Sequence, residues 1–279
     1  MQDREFVQWA LKFIKNNGMA EFQKLLANKI DIHAMFPMSC IWRVWDIVET
    51  EAQKQMSKLE KVQLFKQGRL DVSLAAEKYN KITNLYVAAM IQNNIGSPLP
   101  SQDLVVDYVG LGLTDSTADG VPPAATATQL GNEFYRSVPT EKYKANNTLV
   151  TMLYLESTEA NPVNTTVASV ASQLVFDVQA GQGANYTAND VIRVFTDQYE
   201  TRVVDSVSTD TITLKTALNG SYAAGALVER GYGNCGMFCG DATASLDTGT
   251  PVNYAGLQFF KNILTSSLIE IHLNYVIAV

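Results

Sequence analysis

Few side chains in this sequence have the spacing that chemistry requires. Cys235 and Cys239 are separated by three residues, and the two histidines, His33 and His272, lie far from them in the sequence. A structural zinc site needs four ligands, usually in two closely spaced clusters, and the sequence offers one pair of cysteines. We therefore expect both cysteines to be small apolar residues in or near a strand. The sequence predicts no metal site and no cofactor.

Catalytic groups are also scarce. A triad needs a nucleophile, a base and a group that orients the base, and neither His33, in a connector, nor His272, in a strand-like segment, suggests one. Paired carboxylates such as Asp115 and Asp119 could hydrolyse glycans. Both lie in a polar stretch, however, where aspartate commonly forms turns by bonding its own backbone. We predict that the protein is not an enzyme.

Charge and composition restrict the possible partners. The chain has 279 residues, of which 47% are hydrophobic, so it can bury a substantial core. Residues 1–95 contain 13 basic and 10 acidic side chains, whereas the remainder contains 8 and 18. This acidic excess opposes binding to nucleic-acid phosphates. We also find no apolar run long enough for a membrane span and no signal-peptide pattern. The expected site of synthesis is a cytoplasm, because the few cysteines form no disulfide pattern.

The first third of the chain is predicted to be helical. Apolar residues recur at helical spacing between Phe6 and Ile14 and again between Ile41 and Leu59, and Gly68 interrupts the second pattern. Asp71 is a candidate N-cap for a further helix that continues to about residue 94. Prolines near residue 100 then end the helical pattern. These features predict a helical docking domain over residues 1–96.

The helix predicted after Asp71 carries an apolar seam with steps of four and three residues. Its members are Ala75, Tyr79, Ile82, Tyr86 and Ala89. This spacing matches two heptads, fewer than a coiled coil requires. One interpretation is a helix that packs on its own domain, and the other is a seam that faces symmetry-related copies. In the second case the five residues form an interface.

From residue 97 onward the pattern becomes that of strands. Segments 104–112, 147–156 and 268–275 alternate between apolar and polar residues or are rich in β-branched residues, which predicts an antiparallel sheet with one face covered. Residues 162–230 contain further short strands separated by turn residues, as expected for a small barrel. The predicted fold is therefore α+β. A helical domain (1–96) precedes a β-sandwich-like domain (97–161 and 231–279) that carries an inserted β-barrel module (162–230).

Three segments of the β part resemble a module that recurs in virion proteins of tailed bacteriophages. They are Tyr-Val-Gly-Leu-Gly at 108–112, Leu-Gly-Asn-Glu-Phe-Tyr-Arg at 130–136 and Asn-Cys-Gly-Met-Phe at 234–238. Residues 162–230 are similar to small β modules of phage tail proteins, so the resemblance covers about 104–279. Asn234 stands where the module usually has an acid, and Cys235 where it has an aliphatic residue.

This resemblance implies a structural component of a tailed-phage virion, made in the host cytoplasm. It would lie in the tail, baseplate, neck or fibre-attachment region and assemble with other virion proteins, as a homo-oligomer in a symmetric ring or fibre base. The alternatives are a host-receptor or glycan-binding tail module and a capsid decoration protein. An exposed aromatic cluster would favour the binding module, and its candidate members are Tyr186, Tyr199, Tyr222, Tyr232 and Tyr254.

Arg136 is a further candidate interface residue. It lies three residues after Glu133, so the two side chains would share a face on a helix but point in opposite directions on a regular strand. One interpretation is a solvated pair that contributes under about 1 kcal/mol. The other is that Arg136 anchors a neighbouring loop or subunit.

Overall fold

The computed structural model describes residues 39–82, 105–114, 129–146, 148–195, 198–239 and 242–274. Within these ranges the protein is built mainly of β-strands, with two short helices, α1 (Glu51–Lys54) and α2 (Lys58–Lys66). The strands are β1 (Ser39–Val48), β2 (Asp71–Ile82), β3 (Tyr108–Gly112), β4 (Glu133–Ser137), β5 (Glu141–Ala145), β6 (Thr148–Leu155), β7 (Thr165–Val170), β8 (Val175–Val178), β9 (Val191–Phe195), β10 (Tyr199–Ser208), β11 (Thr211–Leu214), β12 (Leu227–Arg230), β13 (Asn234–Cys239), β14 (Thr250–Ala255) and β15 (Ser266–Asn274).

The predicted α+β fold with a helical domain over 1–96 is wrong. Residues 39–82, the part of that range which the structure describes, supply β1, β2 and only two short helices. Both strands lie inside a nine-stranded antiparallel sheet of order β4-β3-β13-β14-β2-β1-β15-β6-β5. The first part of the chain therefore belongs to the same sheet as the segments predicted to form a separate β domain.

Strand β1 shows why the helical prediction failed. Its residues Cys40, Trp42 and Val44 alternate along the strand and are completely or almost completely buried in the core of the sheet. Ile41 and Trp45 lie on the other face, and their spacing of four residues imitates a helical stripe. The apolar residues of this segment therefore fit both the two-residue repeat of a strand and the 3.6-residue repeat of a helix. Pairing with β15, more than 200 residues away, makes the segment a strand.

Strand β2 replaces the helix that carried the predicted seam. Its residues 72–79 include leucine, two alanines, glutamate and lysine, all of which favour helices. Cross-strand pairing with β1 overrides that preference along the strand. Ala75, Tyr79 and Ile82 are thus strand residues, and the heptad interpretation is wrong for them. Tyr86 and Ala89 lie outside the described residues.

The nine-stranded sheet bends into two halves that share one core. Within the described residues, β14 and β2 pair through two residue pairs only, and at this point β4, β3, β13 and β14 separate from the other five strands. Apolar residues from both halves then meet in a single cluster, including Trp42 from β1, Leu111 from β3, Met237 from β13 and Ile271 from β15. The arrangement is a sandwich whose two layers are continuous at one end.

Helix α2 covers part of the outer face of the sheet. Val62 packs with Ile47, Tyr154 and Leu268 in a second buried cluster. Lys61 is almost fully buried beneath the helix, where its Nζ lies 2.8 Å from a carboxylate oxygen of Glu49. Gly68 follows the helix with a φ of 66°, a left-handed conformation that glycine adopts easily, so the predicted break at this residue is confirmed.

Strands β7 to β12 form a closed barrel of order β10-β11-β8-β7-β12-β9. Its core contains only residues between Val167 and Val228, among them Phe176, Ile192 and Ile212. All six strands lie within the predicted inserted module, residues 162–230. A two-residue turn, Thr209 and Asp210, connects β10 and β11. Whether the module is an independent domain stays a prediction.

A buried polar joint connects the barrel to the sheet. Asp190 is fully buried, and its carboxylate accepts from the Arg230 guanidinium at 2.5 Å, the Thr187 backbone N–H at 2.9 Å and the Asn132 amide at 3.3 Å. The backbone of Asp190 also forms a β-bridge with Thr114, which follows β3. Because Asn132 and Thr114 belong to the sheet part, this carboxylate connects both parts.

Candidate interaction surface on strand β2

Three side chains of β2, Leu74, Glu77 and Tyr79, share the outer face of the sheet and are called the β2 surface below. In a regular strand Leu74 and Tyr79 would point in opposite directions, because they are five residues apart. A bulge at Ala75 shifts the register, so that Leu74 lies opposite Trp45 and Tyr79 opposite Ile41. Leu74 is 50% exposed and Tyr79 67% exposed. The bulge thus places two large apolar side chains on one solvent-facing surface.

A row of charged side chains crosses three strands, β2, β1 and β15, beside these residues. Glu77 accepts from Nε of Arg43 at 2.6 Å, and the same guanidinium lies 4.0 Å from Glu270. The other oxygen of Glu270 lies 2.8 Å from Nε2 of His272. Glu270 and His272 therefore lie on one face of the last strand. The row gives the β2 surface a polar border with both signs of charge.

Glu270 is the most enclosed member of this row. Burial acts to raise the pKa of its carboxyl group, but the hydrogen bonds from His272 and Trp45 and the charge of Arg43 outweigh burial. The pKa of Glu270 is therefore held below its ordinary value of 4.5. Trp45 donates to Glu270 at 3.1 Å and also contacts the ring of Phe65 in helix α2. The row is thereby attached to the covered part of the outer face.

The six predicted interface residues do not come together. Tyr79 belongs to the β2 surface, Ala75 forms the bulge that shapes it, and Ile82 pairs with Asn253 at the end of the strand. Tyr86 and Ala89 lie outside the described residues. Arg136 is buried on β4, the first strand of the sheet order and four positions from β2, and does not belong to the same surface.

Arg136 instead anchors a loop of its own chain. Its guanidinium forms a bidentate pair with Glu133, with N–O distances of 2.7 and 2.8 Å, and both side chains are fully buried. It also donates to the Thr248 carbonyl at 2.5 Å, while the Asp247 N–H donates to Glu133 at 2.6 Å. The solvated pair is thus the wrong interpretation. The anchoring interpretation holds within the chain, and a role toward another subunit stays a prediction.

A second bulge explains how Glu133 and Arg136 share a face. Gly112 pairs with Glu133 but Leu111 pairs with Tyr135, so one extra residue on β4 reverses the alternation. Gly110 lies opposite Arg136, where a Cβ atom would clash with the Glu133 carboxylate and the Phe238 ring. Glycine at this position leaves the space that the buried ion pair occupies.

The aromatic residues considered for ligand binding are mostly buried. Tyr186, Tyr232 and Tyr254 are at most 6% exposed, and Tyr222 packs against the barrel core. Tyr199 is 44% exposed, and its ring makes an edge contact with the equally exposed Phe195, with centroids 5.1 Å apart. The guanidinium of Arg193 lies 4.2 Å from the centroid of the Tyr199 ring. We call Arg193, Phe195 and Tyr199 the barrel aromatic patch.

The cysteines have the structural role that the sequence suggested. Cys235 and Cys239 are buried in β13, and Cys40 is buried in β1. Among the described residues, no group of three or more His, Cys, Asp or Glu side chains is placed to hold a metal ion. The described helices are also too short or too polar to cross a membrane.

Sequence reasoning missed most of the polar contacts described above. The Glu77–Arg43–Glu270 row joins three strands, and Glu270 is far from the other two residues in the sequence. The local sequence around each residue does not predict these contacts. The Asp190–Arg230 pair likewise spans 40 residues. A local signal did exist for the helices, because Thr50 with Gln53 and Ser57 with Glu60 form capping boxes. They mark the starts of the two short helices that follow β1.

Comparisons of the chain with protein-family models, with curated proteins and with solved structures find no match.

Proposed function

We propose that the chain is a structural component of a tailed-phage virion and acts through protein–protein assembly. Two features support the proposal. The three segments that resemble the virion module form β3, β4 and β13, which are neighbours in the sheet, so they make one structural unit. The β2 surface, with Leu74 and Tyr79 largely exposed, is the observation that carries the proposal. Exposed large apolar side chains beside polar residues are typical of interaction sites.

The partner that fits this surface best is a second copy of the same chain. Residues 1–95, which include β1 and β2, have more basic than acidic side chains, whereas the rest of the chain has 18 acidic and 8 basic ones. The β2 surface of one copy can therefore meet the acidic part of the next through complementary potentials. Such a head-to-tail contact uses two different surfaces, and it closes into a ring when the rotation between copies permits.

The virion role is tested on particles. Mass spectrometry of phage particles purified from the source culture should detect the chain at a fixed ratio to the major virion proteins, and a cryo-EM map should place it in the tail, baseplate, neck or fibre-attachment region. Particles that are complete and infective without the chain would overturn the proposal.

The surface is tested by comparing two double variants. L74E/Y79E adds negative charge to the β2 surface, and I263E/L264E makes the same change in the loop before β15, where the two side chains are 55% and 83% exposed. The first variant should fail to enter particles while remaining folded by circular dichroism, and the second should enter normally. Equal incorporation of both variants would remove the β2 surface from the proposal.

The barrel aromatic patch supports a second candidate function, a host-glycan-binding module. Exposed aromatic rings offer apolar faces to ligands, and the Arg193 guanidinium on Tyr199 adds donors nearby. Glycan-array binding by the full chain that is lost in F195A/Y199A would favour this function. No binding above that of the double variant would exclude it for the glycans tested.

A further inference from the structure

Lys261 is a buried lysine that forms no ion pair with a carboxylate among the residues that the structure describes. It lies between β14 and β15, is 7% exposed, and its Nζ donates to the Ser157 carbonyl and to Oδ1 of Asn161, both at 3.2 Å. Both acceptors are neutral, and a buried ammonium group without a carboxylate is unfavourable. Burial lowers the pKa of Lys261 to about 8, although Glu159 and Asp46 act to raise it. The free amine, which is the nucleophilic form, is therefore substantially populated at about pH 8.

Tyr232 holds the two ends of this contact together. Its backbone exchanges two hydrogen bonds with Phe259, two residues before Lys261, and the two rings stack with centroids 4.8 Å apart. Its hydroxyl donates to the carbonyl of Ala160, the residue before Asn161, at 2.5 Å. A single buried side chain thus fixes both segments. Two groups held in this way react as if at very high concentration.

The side chain of Asn161 is also held in place. Its Nδ2 donates to the Ser157 carbonyl at 2.7 Å, so that Ser157 receives hydrogen bonds from both Asn161 and Lys261. The amide oxygen is thereby directed at Nζ. Glu159, two residues earlier, is fixed by Lys58 at 2.6 Å and by the Glu156 N–H at 2.9 Å. A carboxylate that acts on the lysine is thus positioned on the same turn.

We propose that Lys261 and Asn161 form an intramolecular amide bond. The neutral Nζ attacks Cγ of Asn161, the Cγ–Nδ2 bond breaks, and one proton of Nζ passes to the leaving nitrogen. The products are an amide between the two side chains and one molecule of ammonia. The reaction needs no oxidant or other reactant, and it removes the amine from a buried site where its charged form is unfavourable.

The bond has a consequence for the topology of the chain. It joins the turn after β6 to the segment before β15, so the covalent loop that it closes contains all six strands of the barrel. Tension applied between β6 and β15 would then pass through the amide and bypass the barrel. This inference concerns the chemistry of the folded chain and holds whatever the partner of the β2 surface is.

The experiment is mass spectrometry of the purified, folded full chain. The intact mass should be lower than the sequence mass by one ammonia, and a tryptic digest should contain a branched peptide joined at Lys261 and Asn161, with no cleavage after Lys261. Peptide mapping is essential, because cyclisation of an N-terminal glutamine or of an asparagine also releases ammonia. K261M and N161A should each have the full mass expected for their sequence.

K142M is the matched control. Lys142 also donates to a backbone carbonyl, that of Val106 at 2.6 Å, but no side-chain amide accepts from it among the described contacts. This variant should keep the branched peptide. If the folded wild-type chain, incubated for days at pH 8, yields separate linear peptides containing Asn161 and Lys261 and no branched peptide, the proposal is overturned, and this result does not depend on any variant folding.

Discussion

The sheet and the barrel differ in how completely their strands are paired with neighbouring strands. The barrel closes on itself, because β9 pairs with β10 and leaves every one of its six strands with two neighbours. In the sheet, β2 pairs with β1 along its length but with β14 only through Lys81 and Ile82, within the part of the chain that the structure describes. Closure removes the sites at which another strand can add, and an incompletely paired strand keeps them.

The two parts also differ in how their cores are built. The barrel core is an apolar cluster formed by its own residues. The core of the sheet combines strands that are far apart in the sequence, such as β1 and β15. Both parts enclose charge: Glu133 pairs with Arg136 and Lys61 with Glu49 in the sheet, and Asp190 pairs with Arg230 in the barrel, at the joint between the two. The apolar core of the barrel is therefore self-contained, whereas the buried ion pairs hold a loop, a helix and the joint in place. Four experiments test this contrast.

The largest expected effect concerns the barrel alone. A fragment covering residues 162–230 should fold and unfold cooperatively, because all buried members of its core cluster lie within it. Thermal unfolding followed by circular dichroism, with dispersed NMR amide signals, checks this. I212D should abolish folding, whereas V170D, at a side chain that is 42% exposed, should not. A fragment that is unfolded at 10 °C would show that the barrel needs the sheet.

The next effect concerns the joint between the two parts. D190N keeps the shape of the side chain but removes its charge, which leaves the nearly buried Arg230 without compensation. The unfolding free energy of the full chain should fall by about 3–5 kcal/mol, as when one partner of a buried pair is lost. Urea unfolding measures this loss. D190N/R230M should recover part of it, and a loss below about 1 kcal/mol in D190N would show that the joint is solvated.

A similar but smaller loss is expected for the loop anchor on β4. R136M leaves Glu133 with the Asp247 N–H as a partner, so the full chain should lose about 3 kcal/mol. Limited proteolysis should also cut the loop that Thr248 belongs to faster than in the wild type. R69M, at an exposed arginine that donates to Gln67, should change stability by less than about 0.5 kcal/mol. Equal effects of the two variants would contradict the anchor.

The smallest effect concerns the acid stability of the sheet. The pKa of Glu270 is lower in the folded protein than in the unfolded chain, so the unfolded chain binds more protons as the pH falls through about 4.5. Stability due to Glu270 is therefore present above this pH and is lost below it. E270Q should lose stability less steeply between pH 5 and pH 3, by under about 1 kcal/mol. An unchanged slope would show that Glu270 does not contribute.

The sequence was informative where strands are half-buried and local. Segment 211–214 alternates between half-buried and buried residues, and the end of the last strand, residues 271–274, does the same; the structure has strands at both places. In the first part of the chain, by contrast, the sequence did not predict the strands. Residues of β2 are mostly exposed and favour helices, so neither burial nor propensity marks them as a strand. Pairing with β1 decides their conformation, and β1 itself depends on β15.

The functional surfaces were less predictable than the fold. Tyr79 was identified as an interface candidate, but through a helical spacing that does not exist in the structure. Its position beside Leu74 depends on one bulge, and the shared face of Glu133 and Arg136 depends on another. A bulge reverses every side chain beyond it, and these two leave no clear signal in the local sequence.

The three cysteines give the folded protein an internal reporter. Cys40 lies in one half of the bent sheet, Cys235 and Cys239 lie in the other, and all three are at most 1% exposed in the shared core. Burial also raises the pKa of Cys40 and of Cys235, so thiolate, the form that reacts, is suppressed. The barrel contains no cysteine. The rate at which a thiol reagent modifies the native chain should therefore measure how often the two layers of the sandwich separate, independently of any opening of the barrel.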